Sequence, residues 1–430
     1  MNLTIHRGSN EIGGSCVELR TDSTRILIDF GQPIVNSSGA QFDNSVMKKK
    51  SIEELIKLAV LPDIEGLYSD NSKINGILLS HSHIDHYGLL NFAHKDIPVY
   101  LGEATGDIIE INNIFQRQTI KFNHPVYFQR NVKFEIGDIS ITAFSADHSA
   151  FDSYSFLIES GDKRIFYSGD FRSHGRKEKV YRYFLHNTPK NIDYLILEGT
   201  SISKQKSISE LQLEVQLTRI FKSSTNGCYV WASAQNIDRM VSIFKACLSS
   251  KKTLIVDLYS VNVLNILSKY GSFPTPLKGY SNMKVLFIPY LLNKLIRNNR
   301  MDLVEPFEKY EIQTNQISNA PEKYIMLFRP SMKTEINEIA WSGGQLVYSM
   351  WEGYKQKQDS MEFLNYFTSQ NFEIIDLHSS GHADEATLVE FVNAINPKYI
   401  IPIHTFHKNQ YPSVFSQEVK ILNDNELLEI

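Results

Sequence analysis

The segment His81-Ser82-His83-Ile84-Asp85-His86 constrains this chain more than any other. It follows directly on the apolar run 76–80, whose continuous Ile77-Leu78-Leu79 suits a strand covered on both faces. Three imidazoles and a carboxylate within six positions are donors that borderline divalent metals such as zinc bind well. A tight turn at a strand end aims alternate side chains into one cavity and leaves the next two facing a second ion. An exposed polar loop gives no reason for three histidines and an aspartate in this order after a buried strand.

With 430 residues, 42% of them apolar and 21% charged, the chain has a globular composition and length for two or three domains, or one large domain with an insertion. The net charge of −4 excludes a uniformly basic body, so any nucleic-acid contact has to be a local patch. Cys16, Cys228 and Cys247 form no Cys-x-x-Cys pair and cannot all pair with one another, which fits a reducing compartment. The N-terminus lacks a basic segment followed by an apolar run, and no stretch of about 18 uninterrupted apolar residues is present. The expectation is a cytoplasmic protein without a membrane span.

Strand-length apolar runs broken by Gly, Asn and Asp fill the first half, with clear alternation in 139–144. From about Ser207 the pattern changes. Leu211, Val215, Thr218 and Phe221 follow helical spacing, and strand-like 228–231 and 253–257 alternate with a helix over 236–248. That alternation predicts a parallel α/β unit. The strand-rich pattern of the first half returns towards the C-terminus, so the expected organisation is a sandwich of 1–206 and 352–430 interrupted by an inserted cap of 207–351.

The order His-x-His-x-Asp-His resembles the signature of the metallo-β-lactamase-fold hydrolases, and the family's other motifs follow in sequence. Asp29 in Leu27-Ile28-Asp29-Phe30-Gly31 looks like the first motif, a carboxylate that supports the ligand loop without binding metal itself. His148 looks like the third motif, Asp170 like the fourth, and His404, after the run 400–403, like the final metal-binding histidine. The resemblance implies an αβ/βα sandwich. It also implies that His81, His83 and His148 hold one zinc, Asp85, His86 and His404 the other, and Asp170 bridges them. Two such ions activate a shared hydroxide for in-line phosphodiester hydrolysis, and manganese or iron suits the same donors.

Glu198, at the end of the run 195–198 before the insertion, and His382, in His378-Ser379-Ser380-Gly381-His382 after it, resemble motifs A and B of the β-CASP nucleases. Pro402-Ile403-His404-Thr405 then corresponds to motif C. This group contains RNase J and the eukaryotic endonuclease that makes mRNA 3′ ends. By that resemblance Asp85 orients the hydroxide, His382 is the general acid for the leaving 3′ oxygen, and Glu198 orients it. Ser379 and Ser380 are candidates for a terminal phosphate.

RNase J proteins carry a glycine-rich phosphate loop inside the cap. Its counterpart here is Leu327-Phe328-Arg329-Pro330-Ser331-Met332-Lys333, which has lost the glycines and leaves Arg329 and Ser331 as candidate phosphate contacts. Tyr280, Tyr290, Tyr348, Trp351 and Tyr354, in or near the cap, are candidates for base stacking. Only 26 residues follow His404 (430 − 404), without room for the C-terminal assembly domain of RNase J proteins, so the resemblance gives no expectation of oligomeric state. The expected function is metal-dependent hydrolysis of single-stranded RNA or DNA. The alternative is hydrolysis of a small ester, thioester or cyclic phosphodiester, with the cap as a lid.

Overall fold

The computed structural model describes residues 1–35, 41–116, 119–204 and 206–430. Two seven-stranded sheets face one another. The strands of each alternate their side chains between faces, as the period of two requires. Ile26 and Ile28 enter the core between the sheets and Leu27 points out of it; Ile165 and Tyr167 point in and Phe166 out. Strands that read as continuous apolar runs are therefore covered twice, by the opposite sheet and by helices. On the second sheet's outer face, helices Glu178–His186 and Glu385–Ile395 pack through Phe184 and Phe391, whose ring centroids lie 5.0 Å apart. The layering is helix, sheet, sheet, helix: the αβ/βα sandwich that the motifs imply. Among the described residues no helix is long and apolar enough to cross a membrane.

The insertion leaves the second sheet after Tyr194–Glu198, and that strand pairs in parallel with Tyr399–Ile403, setting Glu198 against Ile403. Between them the chain builds a third seven-stranded sheet, whose core also takes in Ile108, Ile111 and Phe115 of the sandwich helix Glu103–Phe115. All of that sheet's pairings are parallel. Its last strand, Phe372–Asp376, lies beside Gly344–Tyr348 with Asp376 opposite Tyr348. The inserted unit therefore extends to Asp376, past the boundary expected at 351. A short apolar strand reads the same whichever sheet receives it. The preceding helix Gln358–Ser369 decides the matter by burying Phe367 in the cap core and returning the chain to the cap's edge.

Where cap and sandwich meet, two arginines have no solvent exposure, Arg172 from the sandwich and Arg239 from the cap. Arg172 donates to Asp238 (2.6 Å) and to the Ser380 carbonyl (2.8 Å). Arg239 donates to Glu210 (2.9 Å) and to the carbonyls of Ser349 (3.0 Å) and Ser379 (3.2 Å). Burial alone would raise the Glu210 carboxyl, but Arg239 and Arg172 hold it down to about 2. Removing one member of such a network strands its partners' charges in the interior. Arg172→Met is expected to cost about 3–5 kcal/mol, seen as a lower urea midpoint at unchanged slope. A loss below about 1 kcal/mol would mean that Arg172 does not hold the two units together.

Candidate metal centre

Parallel strands deliver their carboxyl ends to one rim of a sheet, where side chains from separate strands converge. Here Lys163–Tyr167, Tyr194–Glu198 and Tyr399–Ile403 bring Asp170, Glu198 and His404 to that rim. In the facing sheet, parallel Arg25–Ile28 and Gly76–Leu78 bring Asp29 and the histidine segment. His83 then occupies the position just before the single-turn helix Ile84–Tyr87, with its side chain making no capping bond. Two rim residues have left-handed backbone without being glycine: Asp29 (φ 59°) and His404 (φ 55°). Such conformations cost of order 1–3 kcal/mol and persist where the surroundings enforce them. Gly31 is required for a different reason, since a Cβ there would lie 1.6 Å from the Asp85 carbonyl oxygen.

The seven expected ligands converge. His81, His83 and His148 form one group of donor atoms and Asp85, His86, Asp170 and His404 another, each group's atoms lying within 4.8 Å of one another. Asp170 Oδ2 stands 3.7 Å from His81, 3.2 Å from His86 and 3.9 Å from His148. Partners outside the cluster set the ring orientations. Asp29 accepts from the Ser80 amide and hydroxyl, the Tyr167 hydroxyl and His86 Nδ1–H, each at 2.8 Å. With the Ser80 proton given to Asp29, the Ser80 oxygen accepts from His81 Nδ1–H (3.0 Å), which turns Nε2 inward. His148 Nδ1–H donates to the Gly381 carbonyl (2.6 Å). The Thr200 hydroxyl donates to the His404 carbonyl (3.1 Å) and accepts from His404 Nδ1–H (2.7 Å).

His81 Nε2, His86 Nε2 and Asp170 Oδ2 are buried without a hydrogen-bond partner. Each such atom costs about 1–3 kcal/mol if left unmet, and a divalent metal satisfies imidazole lone pairs and a carboxylate together. Burial and the adjacent imidazoles hold His81 and His148 well below the ordinary histidine range, and burial holds His83 down to about 4, so these rings are neutral, the form that binds metal. At His86, Asp170, Asp29 and Asp85 overcome burial and raise the ring, so metal uptake there displaces a proton. His404, like His148, has a protein partner on its second nitrogen. Its Nε2 accepts from the Gly13 amide (2.9 Å), so both its nitrogens have protein partners. The donor set fits a divalent metal.

Beside the cluster, His382 Nδ1 lies 3.2 Å from Glu198 Oε2 and 3.7 Å from Asp170. Glu198 is fixed by the amides of Phe171 (3.1 Å) and Thr200 (3.2 Å). His83, Asp85, His382 and His404 line a cavity of about 300 Å³ shared with the cap. Ser380 lines it as well, and its hydroxyl oxygen accepts from the His382 amide (3.1 Å). Ser379 is a correction to the expected phosphate site: it is buried and donates to the Ile208 carbonyl (2.8 Å). Arg329 and Ser331 are corrections too, because neither lines the cavity. Arg329 pairs with buried Asp257 on the neighbouring strand and stacks over Tyr259 at 4.8 Å, since a buried carboxylate requires a partner. Ser331 is exposed on the turn Pro330–Met332. Of the aromatic candidates, Trp351 and Tyr354 reach the cavity, whereas Tyr348 is core, Tyr280 packs on Phe244 and Tyr290 faces solvent elsewhere.

Sequence reasoning missed Ser80, Tyr167, Thr200, Gly381 and Arg172, each of which acts through a contact made only in three dimensions. Thr200 and Arg172 carried a faint signal, each standing two positions past a motif acid. Replacing a partner that orients a ligand weakens metal binding about 10–100-fold. Asp29→Ala should therefore lower zinc affinity by about that factor in competition with a chromophoric chelator; an unchanged affinity would mean that Asp29 does not govern the His86 ring.

Two family models match the chain. A β-lactamase superfamily domain covers residues 55–243, and a Zn-dependent metallo-hydrolase RNA specificity domain covers 370–410. Ribonuclease J of Mycoplasma genitalium is 22% identical over 92% of this chain and 66% of its own length. Transcription termination factor FttA of Methanothermobacter thermautotrophicus is 21% identical over 92% of the chain and 65% of its own length. The chain thus spans about two-thirds of these curated relatives. A crystal structure of a protein of unknown function from Enterococcus faecalis shares the fold over 99% of both chains, with a TM-score of 0.78 at 20% identity. The first matched stretch holds every motif from His81 to Glu198 and the second holds His382 and His404, with most of the inserted sheet lying between the two. The chain thus has the metallo-β-lactamase fold, carries matches to a β-lactamase superfamily domain and a Zn-dependent metallo-hydrolase RNA specificity domain, and is similar over most of its length to ribonuclease J proteins.

Proposed function

We propose that this chain is a metal-dependent phosphodiester hydrolase that cuts single-stranded RNA with two zinc ions. The reading rests on one observation above the rest: a paired imidazole and carboxylate, His382 and Glu198, stand beside the ligand cluster and His382 lines the cavity. The matched RNA specificity domain and the ribonuclease J relatives support RNA over DNA. The three buried free thiols support a reducing, cytoplasmic location.

His81, His83, His148, Asp85, His86, Asp170 and His404 would hold the ions, which would supply an acidified water and neutralise charge on the phosphoryl oxygens. Manganese or iron suits the same donors. Asp85, one oxygen 3.3 Å from His404 Nε2, orients the attacking water by hydrogen bonding. His382 directs Nδ1–H to Glu198 and keeps Nε2 for substrate, where its proton passes to the leaving 3′ oxygen. Burial lowers the proton affinity of His382, but Glu198 and Asp170 outweigh it and lift the ring to about 9 in the metal-free chain.

Loss of a general acid typically costs about 10²–10⁴-fold in rate. His382→Gln should lose kcat on a single-stranded RNA oligonucleotide by that factor, with metal content unchanged by elemental analysis. Retained activity would remove His382 from the chemistry, and zinc-loaded protein that cuts no RNA would remove the whole reading. A second reading, hydrolysis of a small ester or cyclic phosphodiester, draws on the cavity volume of about 300 Å³, which lies at the lower end for small-ligand pockets. Turnover of small chromogenic diesters without any cutting of RNA would decide for it.

A further inference from the structure

The cap's own contribution to the cavity has no role yet. Its adjacent parallel strands Cys228–Trp231, Gly344–Tyr348 and Phe372–Asp376 end on the same side, where open parallel sheets bind ligands. The residues just beyond those ends, Gln235 after the first, Trp351 and Tyr354 after the second and His378 after the third, line the same cavity as Asp85 and His382. The two later ends are stitched together, with the Leu377 amide donating to the Tyr348 carbonyl (3.0 Å) and His378 Nδ1–H to the Ser349 carbonyl (3.3 Å).

Trp351 is unlike the chain's other two tryptophans: it is 37% exposed, while Trp231 is 5% and Trp341 7% exposed. Its indole lies against Gly353, where a Cβ would come within 2.4 Å of the ring, so the glycine forms a shelf for it. Tyr354 stands edge-on to it, with centroids 5.3 Å apart at 87°, and the Lys357 ammonium sits 4.0 Å from the Tyr354 ring centroid. An exposed indole backed by protein, with a half-buried tyrosine edge-on to it and a cation alongside, has the chemistry of a base-stacking platform. His378, with Nδ1–H committed to Ser349, retains Nε2 as a pure acceptor. The donor that every ribonucleotide offers, and every deoxyribonucleotide lacks, is the 2′-hydroxyl.

We propose that the cap supplies a nucleoside subsite beside the metal centre, in which Trp351 and Tyr354 stack a base and His378 accepts from the ribose 2′-hydroxyl. This inference rests on the RNA-cleaving reading and gives it a source of selectivity for ribose.

The test uses the zinc-loaded full chain, Trp351→Ala, Trp351→Phe and His378→Ala on one single-stranded RNA oligonucleotide, the same oligonucleotide with abasic ribose, and one with 2′-deoxyribose. Trp351→Ala should lose about tenfold in kcat/KM on intact RNA and about nothing on abasic RNA, with Trp351→Phe restoring most of the loss. His378→Ala should lose about tenfold on RNA and show no further loss on the deoxy oligonucleotide. In metal-free wild type, RNA should quench tryptophan fluorescence, and the quenching should vanish in Trp351→Ala. Equal penalties on intact and altered substrates, or quenching that survives the substitution, would overturn the subsite while leaving nuclease activity standing. Wild type that cuts no RNA would overturn both.

Discussion

The working geometry of this protein depends on charge buried at its domain junction. Arg172 joins a cap carboxylate, Asp238, to the backbone carbonyl of Ser380. The next carbonyl, Gly381, accepts from His148, and the residue after that is His382. A continuous set of short directional contacts thus runs from the cap helix through Arg172 to a metal-ligand ring. Apolar packing could hold cap and sandwich together with equal strength, but it would not fix a carbonyl at bonding distance from an imidazole. Buried ion pairs return little net stability after desolvation, and their value here lies in register. Arg239 and Glu210 perform the same service one residue before, at Ser379.

Around the cluster, His81, His86, His148 and His404 each have Nδ1 tied to a residue outside it, and that tie directs Nε2. Asp29 does the most, accepting from three residues, and it does so from a left-handed backbone that aims its carboxylate back across the strand ends. The strain at Asp29 and His404 is sustained by the packed sheets beneath, whose cores lie directly under the rim. Rigid sheets below and fixed partners around are what allow ligands from separate strands to keep their positions.

Much of this was legible because it is local. His81, His83, Asp85 and His86 are neighbours in sequence, and a strand followed by a one-turn helix brings them together with little help from the rest of the chain. Asp29, His148, Asp170, Glu198 and His404 could be recognised because each follows an apolar strand, and parallel strands end at a common rim. Where sequence reading went astray, the deciding contact was distant. Phe372–Asp376 reads as a strand for either sheet, and only the return of the helix before it assigns it to the cap. Arg329 reads as a free cation in a loop, yet the buried Asp257 on the adjacent strand claims it. Ser379 and Ser380 look alike in sequence, but one hydroxyl faces the Ile208 carbonyl and the other the cavity.

The sequence by itself determined the sandwich, the presence of an inserted α/β unit and the identity of the clustered donors. Apolar period, turn residues and ligand spacing are properties of short stretches of chain. The tertiary structure alone decided which nitrogen of each ring faces inward, where the cap ends, and which cap residues share a cavity with the metal centre. Those depend on single hydrogen bonds and ion pairs between residues as far apart as His148 and Gly381 or Arg172 and Asp238. A contact of that kind leaves no periodic trace in the chain, because it is set by how the packed layers bring distant backbone together.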